Sequence, residues 1–229
     1  MKKPIASLVL FSGLAAVSAQ AVTLTFSDDF NSSIAAYSVA STFANANTSG
    51  LVTALTSPSA NLNLNTQFND INGNPAGASV RVAVVNSGWT IDPAAVSGIN
   101  SLNISVENST TGGVLALAVI QGGQAFYSQP NLSMSVAGTV SDANILPAEF
   151  LKLDGTSGAP DLSVSGGIIT LGFIVGRGTT SDGAKNFNYT FDNLSITADV
   201  TAVPEPSAFA ALAGLGALGL ATLRRRRRA

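Results

Sequence analysis

The sequence contains no cysteine and no histidine among its 229 residues. Without cysteine the chain has no disulfide, no thiol nucleophile and no thiolate metal ligand, and without histidine it lacks the usual general base and the commonest metal ligand. These absences exclude much of enzyme chemistry. Such a chain is held by its own core, by oligomerisation, or by a hard cation bound to oxygen ligands.

Charge is also scarce, since 10% of the residues are charged and 46% are hydrophobic. The length suits one good-sized folded domain. Thirteen acidic and four basic residues lie between Val22 and Glu205, which gives that segment a formal charge of −9. Because so acidic a segment repels nucleic acid and anionic lipid headgroups, we expect no nucleic-acid partner.

The N-terminus has the order of a secretory signal. Two lysines follow Met1, an apolar stretch runs from Ile5 to Val17, and Ala19-Gln20-Ala21 forms a small-x-small cleavage site. This order is typical of a signal peptide and is not explained by a core helix. We therefore predict a signal peptide over residues 1–21, with cleavage after Ala19 as the alternative to cleavage after Ala21.

The C-terminus combines a proline motif, an uncharged stretch and a basic end. The motif is Val203-Pro204-Glu205-Pro206-Ser207, residues 208–223 carry no charge, and the arginine run is Arg224, Arg225, Arg226, Arg227 and Arg228. As a helix the uncharged stretch spans roughly 24 Å. Snorkelling arginines and local bilayer thinning cover the gap to a hydrocarbon core of roughly 30 Å. Because positive residues stay cytoplasmic, we predict a single transmembrane helix with the motif outside.

These three features resemble the PEP-CTERM sorting signal of Gram-negative bacteria. In that family the motif marks a protein for an exosortase, a membrane-embedded transpeptidase-like protease, in cells that make exopolysaccharide. The resemblance implies that Val203, Pro204, Glu205 and Pro206 are recognition residues, that residues 208–223 are a transient membrane anchor, and that the arginine run stops transfer. It implies an exported protein of the cell envelope or matrix, and it implies nothing about the activity of the body.

The segment between Val22 and Val200 consists of short apolar runs separated by clusters of Gly, Asn, Ser, Asp and Pro, which predicts an all-β body. Alternation predicts strands with one buried face at Val80, Val82 and Val84 and at Leu102, Ile104 and Val106. Nearly continuous apolar runs at Val114–Ile120 and Ile168–Val175 predict strands covered on both faces, with a helix as the alternative for the first run. The composition of Ser32 to Asn65 suggests mobile loops. The predicted organisation is a signal peptide (1–21), a body (22–200) and a sorting tail (201–229).

The two terminal strands of the body carry further information. Inward residues at the end of the body change from odd to even positions: Phe187, Tyr189 and Phe191, then Leu194, Ile196 and Ala198. A β-bulge between Asp192 and Asn193 explains the change. An opening strand that ends in Asp-Asp-Phe-Asn and a closing strand that contains Phe-Asp-Asn-Leu-Ser-Ile resemble jelly-roll sandwiches of the concanavalin, laminin-G and carbohydrate-module kind. The resemblance implies an antiparallel β-sandwich whose terminal strands pair.

That pairing predicts a calcium site, since it would bring Asp28 and Asp29 near Asp192. Calcium takes about 6 to 8 oxygen ligands, and Asn31 or Asn193 would add a carbonyl. The alternative is that these aspartates cap local backbone donors in a turn and a bulge. Trp89 also has two interpretations, as a residue that fills the core or as a platform on which a sugar stacks.

Three classes of function compete. The leading hypothesis is a non-catalytic surface or extracellular-matrix protein that associates with polysaccharide. The second is a carbohydrate-binding module that uses the concave face of a jelly roll, although one tryptophan and three tyrosines are few for stacking platforms. The third is a glycan-cleaving enzyme, which would need Glu107 and Glu149 as its carboxylate pair. We expect no catalytic site, because candidate pairs are so scarce.

Overall fold

The computed structural model describes residues 20–31, 33–57, 60–71, 77–179, 181–202 and 214–218. Its strands, all within the compact unit Ala21–Ala202, are β1 (Ala21–Asp28), β2 (Tyr37–Ala44), β3 (Thr48–Thr56), β4 (Leu62–Asp70), β5 (Ala78–Ile91), β6 (Ile99–Asn108), β7 (Val114–Gln121), β8 (Gln124–Ser128), β9 (Leu132–Ser133), β10 (Gly138–Ile145), β11 (Phe150–Lys152), β12 (Ile169–Thr179) and β13 (Gly183–Thr201). A short 3-10 helix, Pro147–Glu149, precedes β11.

The strands form two antiparallel sheets that enclose one core. A six-stranded sheet has the order β10-β6-β13-β4-β3, and β1 also pairs with β13. A seven-stranded sheet has the order β11-β8-β7-β12-β5-β2, and β9 also pairs with β7. The prediction of an all-β antiparallel sandwich is confirmed, and its finer assignment to the jelly rolls stays a prediction.

The core between the sheets follows the alternation of the sequence. Leu102, Ile104 and Val106 of β6 are buried, as are Val80, Val82 and Val84 of β5. Phe173 of β12 and Phe191 of β13 meet edge to face, with ring centroids 4.9 Å apart, and thereby join the two sheets. Such aromatic pairs contribute beyond the area that they bury, so this contact lies among the strongest in the core.

The two nearly continuous apolar runs form β7 and β12, which lie side by side in the seven-stranded sheet. The inner face of these strands contacts the main core. Their outer face belongs to a second buried cluster, made of four alanines, one tyrosine and two larger aliphatic residues, namely Ala83, Ala116, Ala118, Ala125, Tyr127, Leu153 and Ile174. The prediction of strands covered on both faces is confirmed, and the helical alternative for the first run is wrong.

The segment from Ser32 to Asn65 differs from its prediction as mobile loops. Its described part holds β2, β3 and the start of β4. In β4, Leu62 and Leu64 are fully buried, while the asparagines between and after them lie on the opposite face. The prediction was wrong because Asn, Ser and Thr here fill the solvent side of antiparallel strands, where one face needs no apolar packing.

The last strand of the body holds the six-stranded sheet together. The first half of β13 pairs with β4, and its second half pairs with β6 on one side and β1 on the other. The register with β6 shifts between Asp192 and Ser195, and Asn193 has a positive φ of 47°. The predicted bulge and the predicted pairing of the terminal strands are both confirmed.

A larger irregularity lies in β5, next to a glycine of β12. The pairing passes from Thr90 opposite Thr170 directly to Val85 opposite Gly172, so residues 86–89 are out of register. An added Cβ at Gly172 would lie 2.0 Å from the carbonyl oxygen of Val84, a distance that no side chain tolerates. Glycine at this position therefore allows the close backbone approach that the irregularity needs.

Candidate functional site

The predicted calcium site begins where β1 ends. The Oδ1 atom of Asp28 accepts a hydrogen bond from the backbone N–H of Phe30 at 2.7 Å, and its Oδ2 atom accepts one from the Tyr37 hydroxyl at 3.2 Å. Asp29 Oδ1 accepts a hydrogen bond from the backbone N–H of Asn31 at 3.1 Å. The contacts with Asn31 hold the pKa of Asp29 below its usual value. Both carboxylates thus stabilise the turn that follows β1.

Asp192 lies at the bulge of β13, next to Asn193 and opposite Glu107. Its Oδ1 atom accepts a hydrogen bond from the backbone N–H of Asn193 at 2.8 Å, and it pairs across the strands with Glu107. The Asn193 amide donates to Glu107 Oε2 at 3.0 Å. Asp28 and Asp29 line one surface cavity together with Asn193, whereas Asp192 and Glu107 line another. The pairing of the terminal strands therefore brings the predicted ligand Asn193 to the cavity of Asp28 and Asp29, and Asp192 is not among the residues that line that cavity.

The three predicted metal ligands are all engaged in local hydrogen bonds. Among the described residues, which include Asp28, Asp29 and Asp192, no three Asp, Glu, His or Cys side chains are grouped in a way that could hold a metal ion. The hydrogen bonds of all three aspartates agree with the capping alternative, and the calcium site stays a prediction. Asp28 and Asp29 each accept from the backbone N–H two residues later, and Asp192 accepts from the N–H of the next residue, so each carboxylate satisfies a local backbone donor.

Asp28→Ala is expected to lower the free energy of unfolding by about 1–3 kcal/mol, because it removes the acceptor of the buried Tyr37 hydroxyl and of the Phe30 N–H. The loss should be equal in calcium and in a chelator. Chemical unfolding in both buffers measures it, and Asp29→Ala, at a fully exposed carboxylate, is the control with a smaller effect. A fall in the melting temperature of the unmodified protein on chelation would support the predicted calcium site.

Trp89 belongs to the packed side of the sandwich. It is half-buried on the irregular part of β5 and contacts the main core. Its ring centroid lies 6.0 Å from that of Phe26 and 5.9 Å from that of Tyr37. The interpretation of Trp89 as a core residue is confirmed by these contacts. The alternative, a platform on which a sugar stacks, stays a prediction.

A feature that the sequence did not reveal lies on the outer face of the seven-stranded sheet. The Arg81 guanidinium lies 4.9 Å from the ring centroid of Tyr127 and 5.4 Å from that of Phe43. Its Nη1 donates a hydrogen bond to the carbonyl oxygen of Leu153 at 3.0 Å. Two aromatic rings and one carbonyl thus hold this cation in place over the small residues of the second cluster.

The Arg81 side chain also forms part of an open cavity of about 340 Å³, which we call the Arg81 groove. It is lined by Arg81, Arg177, Asn131 and three glycines, Gly113, Gly176 and Gly178, among others. An added Cβ at Gly176 would lie 2.8 Å from Val114 Cγ2, whereas one at Gly178 would meet nothing closer than 3.6 Å. Because Gly176 and Gly178 of β12 have no side chains, the surface of the sheet has a depression at these positions.

The Arg81 groove is distinctive in its charge. Arg81 and Arg177 both line it, and no acidic residue is among its described lining residues. The Arg81 side chain lies on the outer face of the sheet with Gly176, whereas Arg177 pairs with the buried Val80 and its guanidinium packs against Phe187. Arginine binds carboxylates and sulfates in a planar, two-pronged geometry, and hydroxyl and amide groups such as Ser79 and Asn131 suit sugar hydroxyls. The groove escapes sequence analysis because Arg81 and Gly176 meet only through the register of β5 with β12.

Arg177 also borders the end of the core. Its guanidinium lies 4.5 Å from the ring centroid of Phe187, and its Nε atom is buried without a hydrogen-bond partner in the protein. The neighbouring Tyr189 hydroxyl is likewise buried without a partner. Burial raises the pKa of Tyr189 to about 12, and the charge of Arg177 opposes that rise. Tyr189 therefore stays neutral over the physiological range.

The two glutamates of the body have local structural partners. Glu107 accepts the hydrogen bond from Asn193 described above, and Glu149 Oε2 accepts one from the backbone N–H of Leu146 at 2.6 Å. Glu107 lies in β6, whereas Glu149 ends the 3-10 helix. Glu149 thus stabilises the backbone at the start of the 3-10 helix, whereas Glu107 links β6 to the Asn193 side chain at the bulge of β13.

Most of the predicted signals lie outside the described residues. Residues 1–19 include Ala19, residues 203–213 include Val203, Pro204, Glu205 and Pro206, and residues 219–229 include the arginine run. Residues 214–218 are helical. Within the described part of the chain, no helix has the length and apolar character needed to cross a membrane. The predicted transmembrane helix over residues 208–223 lies largely beyond that part.

The fold and the tail together define a two-sheet β-sandwich followed by a C-terminal signal. Residues 202–228 match the family model of the PEP-CTERM protein-sorting motif. The chain therefore carries this sorting signal, as its motif, uncharged stretch and arginine run predict. The signal implies export and processing by exosortase, a membrane enzyme. No curated protein matches the chain.

Proposed function

We propose that the protein is a non-catalytic component of the cell surface or extracellular matrix that associates with exopolysaccharide. The sorting motif at residues 202–228 carries this proposal, because it directs a chain to the export route that such components use. The body supports a non-catalytic role, since the chain lacks cysteine and histidine and both body glutamates hold local backbone or side-chain donors. In this proposal the β-sandwich either binds the exopolysaccharide or forms part of the matrix itself.

Fractionation of an exosortase-containing host tests this role. With an epitope tag in a surface turn of the body, the mature protein should be recovered with the insoluble polysaccharide matrix, and enzymatic digestion of that polysaccharide should release it. A mature protein that stays free in the medium in the presence of intact matrix would contradict the association, while its processing would still show that sorting works.

The Arg81 groove favours a second candidate function, a carbohydrate-binding module specific for acidic sugars. The ligand would present a carboxylate or sulfate to Arg81 and hydroxyls to Asn131 and Ser79, which also line the groove. The size of the groove lies within the range of small-molecule sites. Because the body is strongly acidic elsewhere, an acidic ligand would be attracted only at short range, near the Arg81 guanidinium.

Gly178→Glu is expected to weaken binding to an acidic polysaccharide at least tenfold, because the new carboxylate would lie on the same face as Arg81, compete for its charge and repel the ligand. Gly178→Gln is the matched control, since it fills the same space without charge and should weaken binding less. Electrophoresis of the mature protein in native gels that contain alginate or neutral dextran measures both effects. Equal retardation of the two variants in alginate would remove the groove as the site.

A further inference from the structure

Charged residues are absent from one long segment of the body. The forty residues from Phe30 to Asn69 contain no Asp, Glu, Lys or Arg, although the segment between Val22 and Glu205 has a formal charge of −9. This segment contains β2, β3 and all but the last residue of β4. The absence of charge is therefore concentrated in three neighbouring elements of the fold.

Two of these elements are edge strands on the same side of the sandwich. β2 is the last strand of the seven-stranded sheet and pairs with β5, whereas β3 is the last strand of the six-stranded sheet and pairs with β4. β2 and β3 also contact each other across the sandwich. Among the described residues, no further strand pairs with either one. One lateral side of the body thus presents two uncharged edges.

The opposite edges carry the features that usually prevent pairing between molecules. β11 is three residues long and ends in Lys152, and β10 carries Asp142 next to a register shift. Natural edge strands are protected by such charges, short lengths and bulges. β3 has a shift as well, but it leaves five consecutive residues, Val52–Thr56, in regular register with β4. This run has no charge and no proline.

We propose that this edge of β3 pairs antiparallel with β3 of a second copy of the chain, so that the six-stranded sheets of two molecules become continuous. A second copy is the occupant because pairing about a two-fold axis needs a self-complementary strand. Two bodies of charge −9 repel each other, and the β2–β3 side is where neither body contributes a charge. This inference is independent of the proposed matrix function.

The exposed residues of β3 suit such a pair. Val52, Ala54 and Thr56 point away from the core, and Val52 is 59% exposed. In a register centred on Ala54, the two alanines face each other and Val52 faces Thr56 of the second copy. Small and β-branched residues are favoured in cross-strand pairs, whereas like charges directly opposite each other are unfavourable.

The test compares the same substitution on two edges. Ala54→Lys on β3 and Ala143→Lys on β10 both replace an exposed alanine of an edge strand. In sedimentation velocity over a range of concentrations, the mature protein should dimerise, Ala54→Lys should weaken association at least tenfold, and Ala143→Lys should leave it unchanged. Because salt screens the repulsion between the acidic bodies, the dimer should persist or strengthen in higher salt.

Two results would overturn the proposal: a mature protein that is monomeric at every concentration, or an equal loss of the dimer in Ala143→Lys. Circular dichroism and thermal melting establish that each variant is folded. Should Ala54→Lys not fold, Thr56→Lys introduces the same charge two residues along the same face. Ala54→Val keeps the edge uncharged and should retain the dimer.

Discussion

Glu205→Gln is expected to leave nearly all of the protein as an unprocessed precursor in the membrane fraction. Glu205 lies between the two prolines of the sorting motif and is the only charged residue between Asp199 and Arg224. A processing enzyme that recognises the sorting motif has no other charged side chain within that motif by which to position the chain. Cell fractionation and mass spectrometry of the C-terminus measure the ratio of precursor to mature chain.

The control is Glu107→Gln, which removes one carboxylate charge from the body and keeps an oxygen that can accept the hydrogen bond from Asn193. Its processing should match that of the unmodified chain. A normal mature C-terminus in Glu205→Gln would show that the processing enzyme does not read this carboxylate. Retention of both variants inside the cell would instead indicate a defect in export, upstream of the motif.

Phe173→Ala is expected to lower the free energy of unfolding by about 3–5 kcal/mol, a large part of the stability of an ordinary domain. The Phe173 side chain is fully buried and meets Phe191 of the other sheet, so its removal leaves a cavity between the sheets. Urea unfolding followed by the fluorescence of Trp89, the sole tryptophan, measures the change.

Two further variants serve as references for the loss of unfolding free energy in Phe173→Ala. Phe173→Leu keeps most of the volume and should cost clearly less than the alanine variant. Val136→Ala changes a residue that is 72% exposed and should alter the free energy of unfolding by no more than about 0.5 kcal/mol. If Phe173→Ala were as stable as Val136→Ala, the two sheets would not share the core described here.

The strands with one buried face were predictable because side-chain direction alternates along a strand. Leu102, Ile104 and Val106 show the alternation directly, and the change of phase after Phe191 located a bulge that the backbone of Asn193 confirms. The strands of the charge-free segment were missed. Asparagine and serine are typical of turns, and this composition outweighed the clear alternation of Leu62 and Leu64 with asparagine.

The sites were less predictable than the strands, because they depend on distances that the sequence does not contain. Pairing of the terminal strands was predicted, but the sequence did not reveal that Asp28 and Asp192 each accept a hydrogen bond from a nearby backbone N–H. The Arg81 groove needs a specific register between β5 and β12, which brings Arg81 opposite Gly176 although they are 95 positions apart in the sequence. The sorting motif was predictable because its signal is local and ordered along the chain.

The position of β13 bears on how an exported body reaches its native state. This strand pairs with β1, β4 and β6 and is the last strand before the sorting tail. A chain that crosses the membrane from its N-terminus therefore delivers β1, β4 and β6 well before the strand that joins them. The six-stranded sheet can be completed only after β13 has emerged, so we expect this sheet to form late in export.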